Sequence, residues 1–200
     1  MIRRFLFSII VLSTTSCFQD DEDIMMLHIY HKHHEDIEKA VTGTEISESY
    51  IAALISLESS PPGNPNSARF ESEVYIRLVQ LRDDGKPFGV LSRKSLKLKS
   101  DKQLREYATS YGLTQIMGFH CLDLGCNIED LKGAYHLQWA VTWMLKNYRS
   151  HPAKKDWASC FRIHNTGHPS GQTSRRDYVE RGLSRMKYYD KWKQRKGKFV

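Results

Sequence analysis

Glu58 stands four residues after Leu54 and seven after Ile51, a spacing that places all three on one helical face. Apolar neighbours disfavour its charged form, and the C-terminus of a helix carries negative partial charge. A carboxyl so placed is expected to hold its proton above the ordinary carboxylate range and to serve as a donor near neutrality. The chemistry that needs such a donor is cleavage of a glycosidic bond, whose oxygen leaves poorly until it is protonated. The competing reading is structural: the glutamate stem packs and its head reaches water.

A second carboxylate would decide how water is handled, because inversion needs a base and retention a nucleophile. Glu71, in "RFE", and Asp83-Asp84 are the candidates. Glu71 equally suits a pair with Arg69 or Arg77, or a helix cap. Beyond Cys17 the chain holds Cys121, Cys126 and Cys160, enough for one disulfide and a free thiol, and the spacing leaves the pairing open. Zinc would take Cys121, Cys126 and a nearby histidine, but the spacing is not that of a zinc knuckle or ribbon. Four histidines between His28 and His34 read as a polar helix or linker without an apolar frame.

The elements that must position these groups are helical. An amphipathic helix is expected over 47–59, entered through Thr44 or Ser47 and closed by Pro61-Pro62. "PPGNPNS" is a turn-rich loop, and a second helix is expected over 70–82. Residues 83–100 read as an exposed basic loop, and 101–109 as a short helix. The strongest periodicity covers 129–149, expected to be the central core helix. Further helices are expected over 153–163 and 174–190. With no alternating strand pattern of any length and no internal repeat, the fold class is all-α.

Two hundred residues with 40% hydrophobic and 26% charged composition suit one domain. "MIRR" followed by "FLFSIIVL" and small residues reads as an export signal over 1–16. Its apolar run is too short to span a bilayer. Ser16-Cys17 resembles the end of a bacterial lipobox, which makes Cys17 the expected lipidation site and membrane anchor, with export without lipid as the alternative. Residues 17–45, opening on "FQDDED", read as a tether with the histidine-rich segment, 46–190 as the folded domain, and 191–200 as a basic tail. Cleavage before Cys17 removes Arg3 and Arg4 and takes the net charge from +7 to +5. A basic, exported chain calls for an anionic partner such as a wall polymer. A nucleic-acid module is excluded by export and by the lack of any binding motif.

Four short motifs follow in order: "ES" at 58–59, "SYGLTQI" at 110–116, "HNTG" at 164–167 and "YV" at 178–179. Together they resemble the lysozyme-like superfamily, above all soluble-type lytic transglycosylases and their conjugation-system relatives. "SLESS…RFE" and "QIMGF" are also similar to phage-type N-acetylmuramidase domains. Over residues 46–190 the resemblance implies a lysozyme-like (goose-type/transglycosylase-like) helical domain with a glycan-binding cleft. It implies Glu58 as the single general acid/base, followed by Ser59. It implies Ser110 and Gln115 lining the cleft, with Gly112 allowing close backbone approach, and it matches Asn165 and Gly167 to the third motif. Tyr178 is the tyrosine that closes the site. His164 stands where the family has a tyrosine, so that either a ring nitrogen takes over the role or the role is lost. The implied substrate is the β-1,4 bond between N-acetylmuramic acid and N-acetylglucosamine in peptidoglycan, cleaved in the periplasm or cell envelope without metal or organic cofactor. The alternatives are hydrolysis of the same bond and a non-catalytic wall-binding scaffold. Secretion or conjugation machinery is the implied setting.

Overall fold

A computed structural model describes residues 15–59 and 61–196. The expected signal segment lies outside the described residues, and so does the side chain of Cys17. The chain is predominantly helical. Its helices are α1 (Thr15–Val41), α2 (Glu48–Glu58), α3 (Ser72–Asp84), α4 (Arg93–Leu96), α5 (Asp101–Tyr107), α6 (Cys121–Leu124), α7 (His136–Tyr148), α8 (Trp157–Thr166) and α9 (Tyr178–Lys196). Three short strands, β1 (Ala68–Phe70), β2 (Thr109–Tyr111) and β3 (Ile116–Met117), form an antiparallel sheet in the order β1-β2-β3. Among the described residues no helix is long and apolar enough to cross a membrane.

The centre of the fold is α2, packed between α1 and α9. Ser47 caps it, its hydroxyl accepting from the Tyr50 amide. All eight residues from Ser49 to Ser56 are buried, so α2 is covered on every side rather than on one stripe. The expected central helix over 129–149 is instead two 3-10 turns, Ile128–Leu131 and Gly133–Tyr135, leading into α7. Gly133, at φ 66, interrupts the helical backbone between those turns.

The tether reading does not hold over 21–41. Met26, Ile29, Tyr30, Ile37 and Val41 recur at helical spacing and are buried against the core, with His33 filling one slot of the same stripe. That stripe supplies the histidine-rich segment with an apolar frame. The basic tail is likewise helical through Lys196, and α9 is tied to α1 because Trp192 Nε1 donates to Asp23 Oδ1 at 2.8 Å. Leu78, Leu81, Leu96, Leu104 and Ala108 build a second, smaller core under α3, α4 and α5. Helix α3 begins at Ser72, two residues later than the periodicity suggests, because Phe70 belongs to β1. The loop expected over 83–100 contains the single turn α4. Strands of two or three residues are too short to leave an alternating signature, which is why none was readable.

Candidate active site

Helix α2 ends on Glu58 because Ser59 turns to extended backbone while its amide and its hydroxyl both return to the Ile55 carbonyl. Beyond it, α1 holds the chain: His33 Nε2 donates to the Pro62 carbonyl at 2.6 Å and Lys32 Nζ to the Gly63 carbonyl at 2.8 Å. A side chain at Gly63 would be strained, since its φ is 91 and a Cβ there would come within 2.5 Å of the Leu113 side-chain tip and 3.2 Å of the Ser59 hydroxyl. The α2 terminus therefore abuts the 112–115 turn. Arg185, buried in α9, donates to the Ser56 carbonyl at 2.9 Å and pairs with Glu22 of α1 at 3.0 Å. A cation there opposes the negative end of α2.

Glu58 is half-buried. Tyr178, at the start of α9 and 2% exposed, donates its hydroxyl to Glu58 Oε1. Burial, and then the Glu58 charge, push the Tyr178 phenol far above its ordinary range, so it remains a donor. Among the described residues no hydrogen bond reaches Glu58 Oε2.

Beside this pair runs a chain of hydrogen bonds through a half-buried histidine and two buried tyrosines. His164 Nε2 lies 2.9 Å from the Thr114 carbonyl, which can only accept, so Nε2 carries the proton. His164 Nδ1 then accepts from Tyr148 at 3.0 Å, and Tyr148 in turn accepts from Tyr50 at 2.8 Å. Burial holds the imidazole below its usual pKa, against the opposing pull of the Glu58 charge and the Thr114 bond. His164 thus stays neutral and ties α8 to the 112–115 turn, while the direct hydrogen bond to Glu58 comes from Tyr178.

The remaining residues from the motifs have mostly internal uses. Gln115, at φ 52, accepts from Ser110 at 2.7 Å and donates to the Gly112 carbonyl at 2.8 Å and to Ser67 at 3.2 Å. Gly112, at φ 73, allows close approach to His136 and the Leu131 carbonyl, both within 3 Å of where a Cβ would sit. Asn165 Oδ1 accepts from the Ser174 amide at 3.2 Å and so braces the loop that delivers Tyr178. Gly167 closes α8. Glu71 lies at the β1–α3 junction with Arg69 Nε 2.6 Å from its carboxylate; no hydrogen bond or ion pair joins it to Glu58, Tyr178 or His164.

Sequence reasoning missed Tyr50, Tyr148, Thr114 and Arg185. The Tyr50–Tyr148 bond joins residues 98 apart, and no spacing rule connects them. A pocket of about 320 Å³ lies elsewhere, between α5, β2 and the 126–132 turn, and shares no lining residue with the Glu58 cluster. Among the described residues no group of three or more His, Cys, Asp or Glu side chains is placed to hold a metal. Compared with protein-family models, with curated proteins and with solved structures, the chain matches none.

Proposed function

We propose that this chain is an exported lytic transglycosylase with a lysozyme-like fold, which cleaves the β-1,4 bond between N-acetylmuramic acid and N-acetylglucosamine in peptidoglycan. The observation that carries the reading is the Glu58–Tyr178 pair. The first and last of the four ordered motifs, 120 residues apart, meet in one hydrogen bond. The motif resemblance supplies the substrate class, and the net positive charge suits an anionic wall.

The proposed chemistry follows from the two carboxyl oxygens. Glu58 gives its Oε2 proton to the leaving glycosidic oxygen, while Tyr178 bonds Oε1. As the proton departs, negative charge grows on the carboxylate and the Tyr178 bond strengthens, so the interaction favours the transition state over the ground state. The substrate's N-acetyl oxygen attacks C1. Glu58 then withdraws the proton of the 6-hydroxyl as that oxygen attacks C1, releases the N-acetyl oxygen and closes a 1,6-anhydro ring. Glu71 is paired with Arg69, and the four motifs call for no second carboxylate, so internal attack is preferred here over hydrolysis.

The test is digestion of purified wall sacculi with mass analysis of the products. The expected products end in 1,6-anhydro-muramic acid and disappear in Glu58→Gln. Reducing muramic ends would assign an N-acetylmuramidase, and binding without release of fragments a scaffold.

A further inference from the structure

We propose that Cys121 and Cys126 form a reversible dithiol–disulfide site, exchanged through the pocket that Cys126 lines. The two sulfurs lie 2.7 Å apart, close to the covalent separation of about 2.05 Å. Local backbone brings them together. Helix α6 ends at Gly125 in the left-handed conformation, and the reversal returns Cys126 over the start of the helix that Cys121 opens. Asn127, whose carbonyl accepts from the Cys121 thiol at 3.4 Å, then caps the following turn with Asp130.

The two thiols differ in access. Cys121 is 4% exposed, whereas Cys126 is half-buried and forms part of the wall of the 320 Å³ pocket with Gln103, Tyr107, Glu129 and Lys132. Cys160 is fully buried in the main core and has no sulfur partner among the described residues. Burial raises the pKa of both Cys121 and Cys126 above the usual thiol value, so exchange is slow at neutrality and quickens as pH rises.

The oxidant is a low-molecular-weight disulfide admitted by the pocket. The Cys126 thiolate attacks one of its sulfurs, forming a mixed disulfide and releasing one thiolate. Cys121 then loses its proton and attacks the Cys126 sulfur, expelling the second thiolate. Two cysteine thiols and one external disulfide become one internal disulfide and two external thiols, which balances atoms and electrons. Neither the geometry nor the exchange depends on the glycan-cleaving proposal.

The folded full chain is equilibrated with oxidised glutathione, alkylated with iodoacetamide and digested with trypsin. Cys121 and Cys126 fall on one peptide, residues 106–132, and Cys160 on another. The expected result is an unalkylated 106–132 peptide lighter than its dithiol form by about 2 Da, the two hydrogens lost, with full alkylation restored by dithiothreitol. In Cys121→Ser, glutathione is expected to remain attached at Cys126, because the resolving thiol is gone. In Cys126→Ser, Cys121 is expected to stay unmodified while folded. Doubly alkylated wild-type peptide after equilibration, a link to Cys160, or glutathione on Cys121 in Cys126→Ser would each overturn the proposal.

Discussion

Glu58 and Gln115 both sit at chain reversals, both carry a terminal group with two polar atoms, and both come from the ordered motifs. Their surroundings differ in one respect that matters. Gln115 has both amide hydrogens and a carbonyl lone pair committed to Ser67 just before β1, Gly112 of its own turn and Ser110 of β2. Glu58 has one oxygen held by Tyr178, and none of the described residues bonds the other. A saturated group fixes shape, whereas a group with one oxygen fixed and one unspent is oriented and still reactive. Under the proposed function, the contrast separates the residue assigned the chemistry from one that holds the frame.

The sharpest way to break it is Glu58→Gln, which keeps shape and removes the proton. General acid catalysis contributes about 10²- to 10⁴-fold, and turnover of sacculi is expected to fall by that much with the thermal transition unchanged. Near wild-type turnover would remove Glu58 from the chemistry. Tyr178→Phe deletes only the hydroxyl. A hydrogen bond to a charged group is worth about 1.5–3 kcal/mol, so kcat is expected to drop roughly 10- to 100-fold with a smaller change in KM. A rise in KM alone would make Tyr178 a uniform binding contact.

The frame has its own weak point, and acid exposes it. His33, His120, His136 and His164 all have lowered pKa values, each chiefly through burial, and His120 reaches about 4 against Phe119 and Trp143. These imidazoles are neutral when folded, whereas unfolded histidine takes a proton near its ordinary value. Their contribution is therefore intact above about pH 6.5 and lost as pH falls from there toward 4. The gap for His120, from 6.5 to about 4, corresponds to about 3 kcal/mol. Urea unfolding at pH 7.5 and 4.5 should show the loss, and His120→Gln should flatten it. An unchanged midpoint across that range would mean that these rings gain solvent without cost. Gly112→Ala should cost about 1–3 kcal/mol, because alanine is strained at φ 73 and its methyl meets His136 and the Leu131 carbonyl. Thermal denaturation checks it directly.

Helix α2 was legible from its ends: Ser47 is one of the two caps its sequence offers, and the double proline calls for a stop close after Glu58. The α1 stripe was missed because histidines and acids interleave with Met26, Ile29, Tyr30 and Ile37, so the polar residues dominated the reading while the apolar ones did the packing. The strands were invisible because two or three residues cannot display a period of two. At the site, Glu58 and Tyr178 were legible as motif members, but the relay through Tyr148 and Tyr50 was not. Nothing in their spacing links those two tyrosines, and only the fold shows that their hydroxyls face one another. The sequence also called for a tyrosine-like role at His164. The geometry instead makes it the tie between α8 and the Thr114 carbonyl.

The smallest expected effect tests the other half of the contrast. Gln115→Ala removes the three bonds that hold the 112–115 turn to β2 and to Ser67, and leaves the Ser110 hydroxyl with only the Arg69 carbonyl at 3.3 Å. Gln115 is itself only half-buried, so water replaces some of what is lost and the net cost should be about 1 kcal/mol. If Gln115 is frame, stability falls by that amount and kcat/KM per folded molecule keeps its wild-type value. A rise in KM with unchanged stability would show the amide turning outward to hold an N-acetyl group, and the division between reactive and saturated residues would then hold only for the unliganded state.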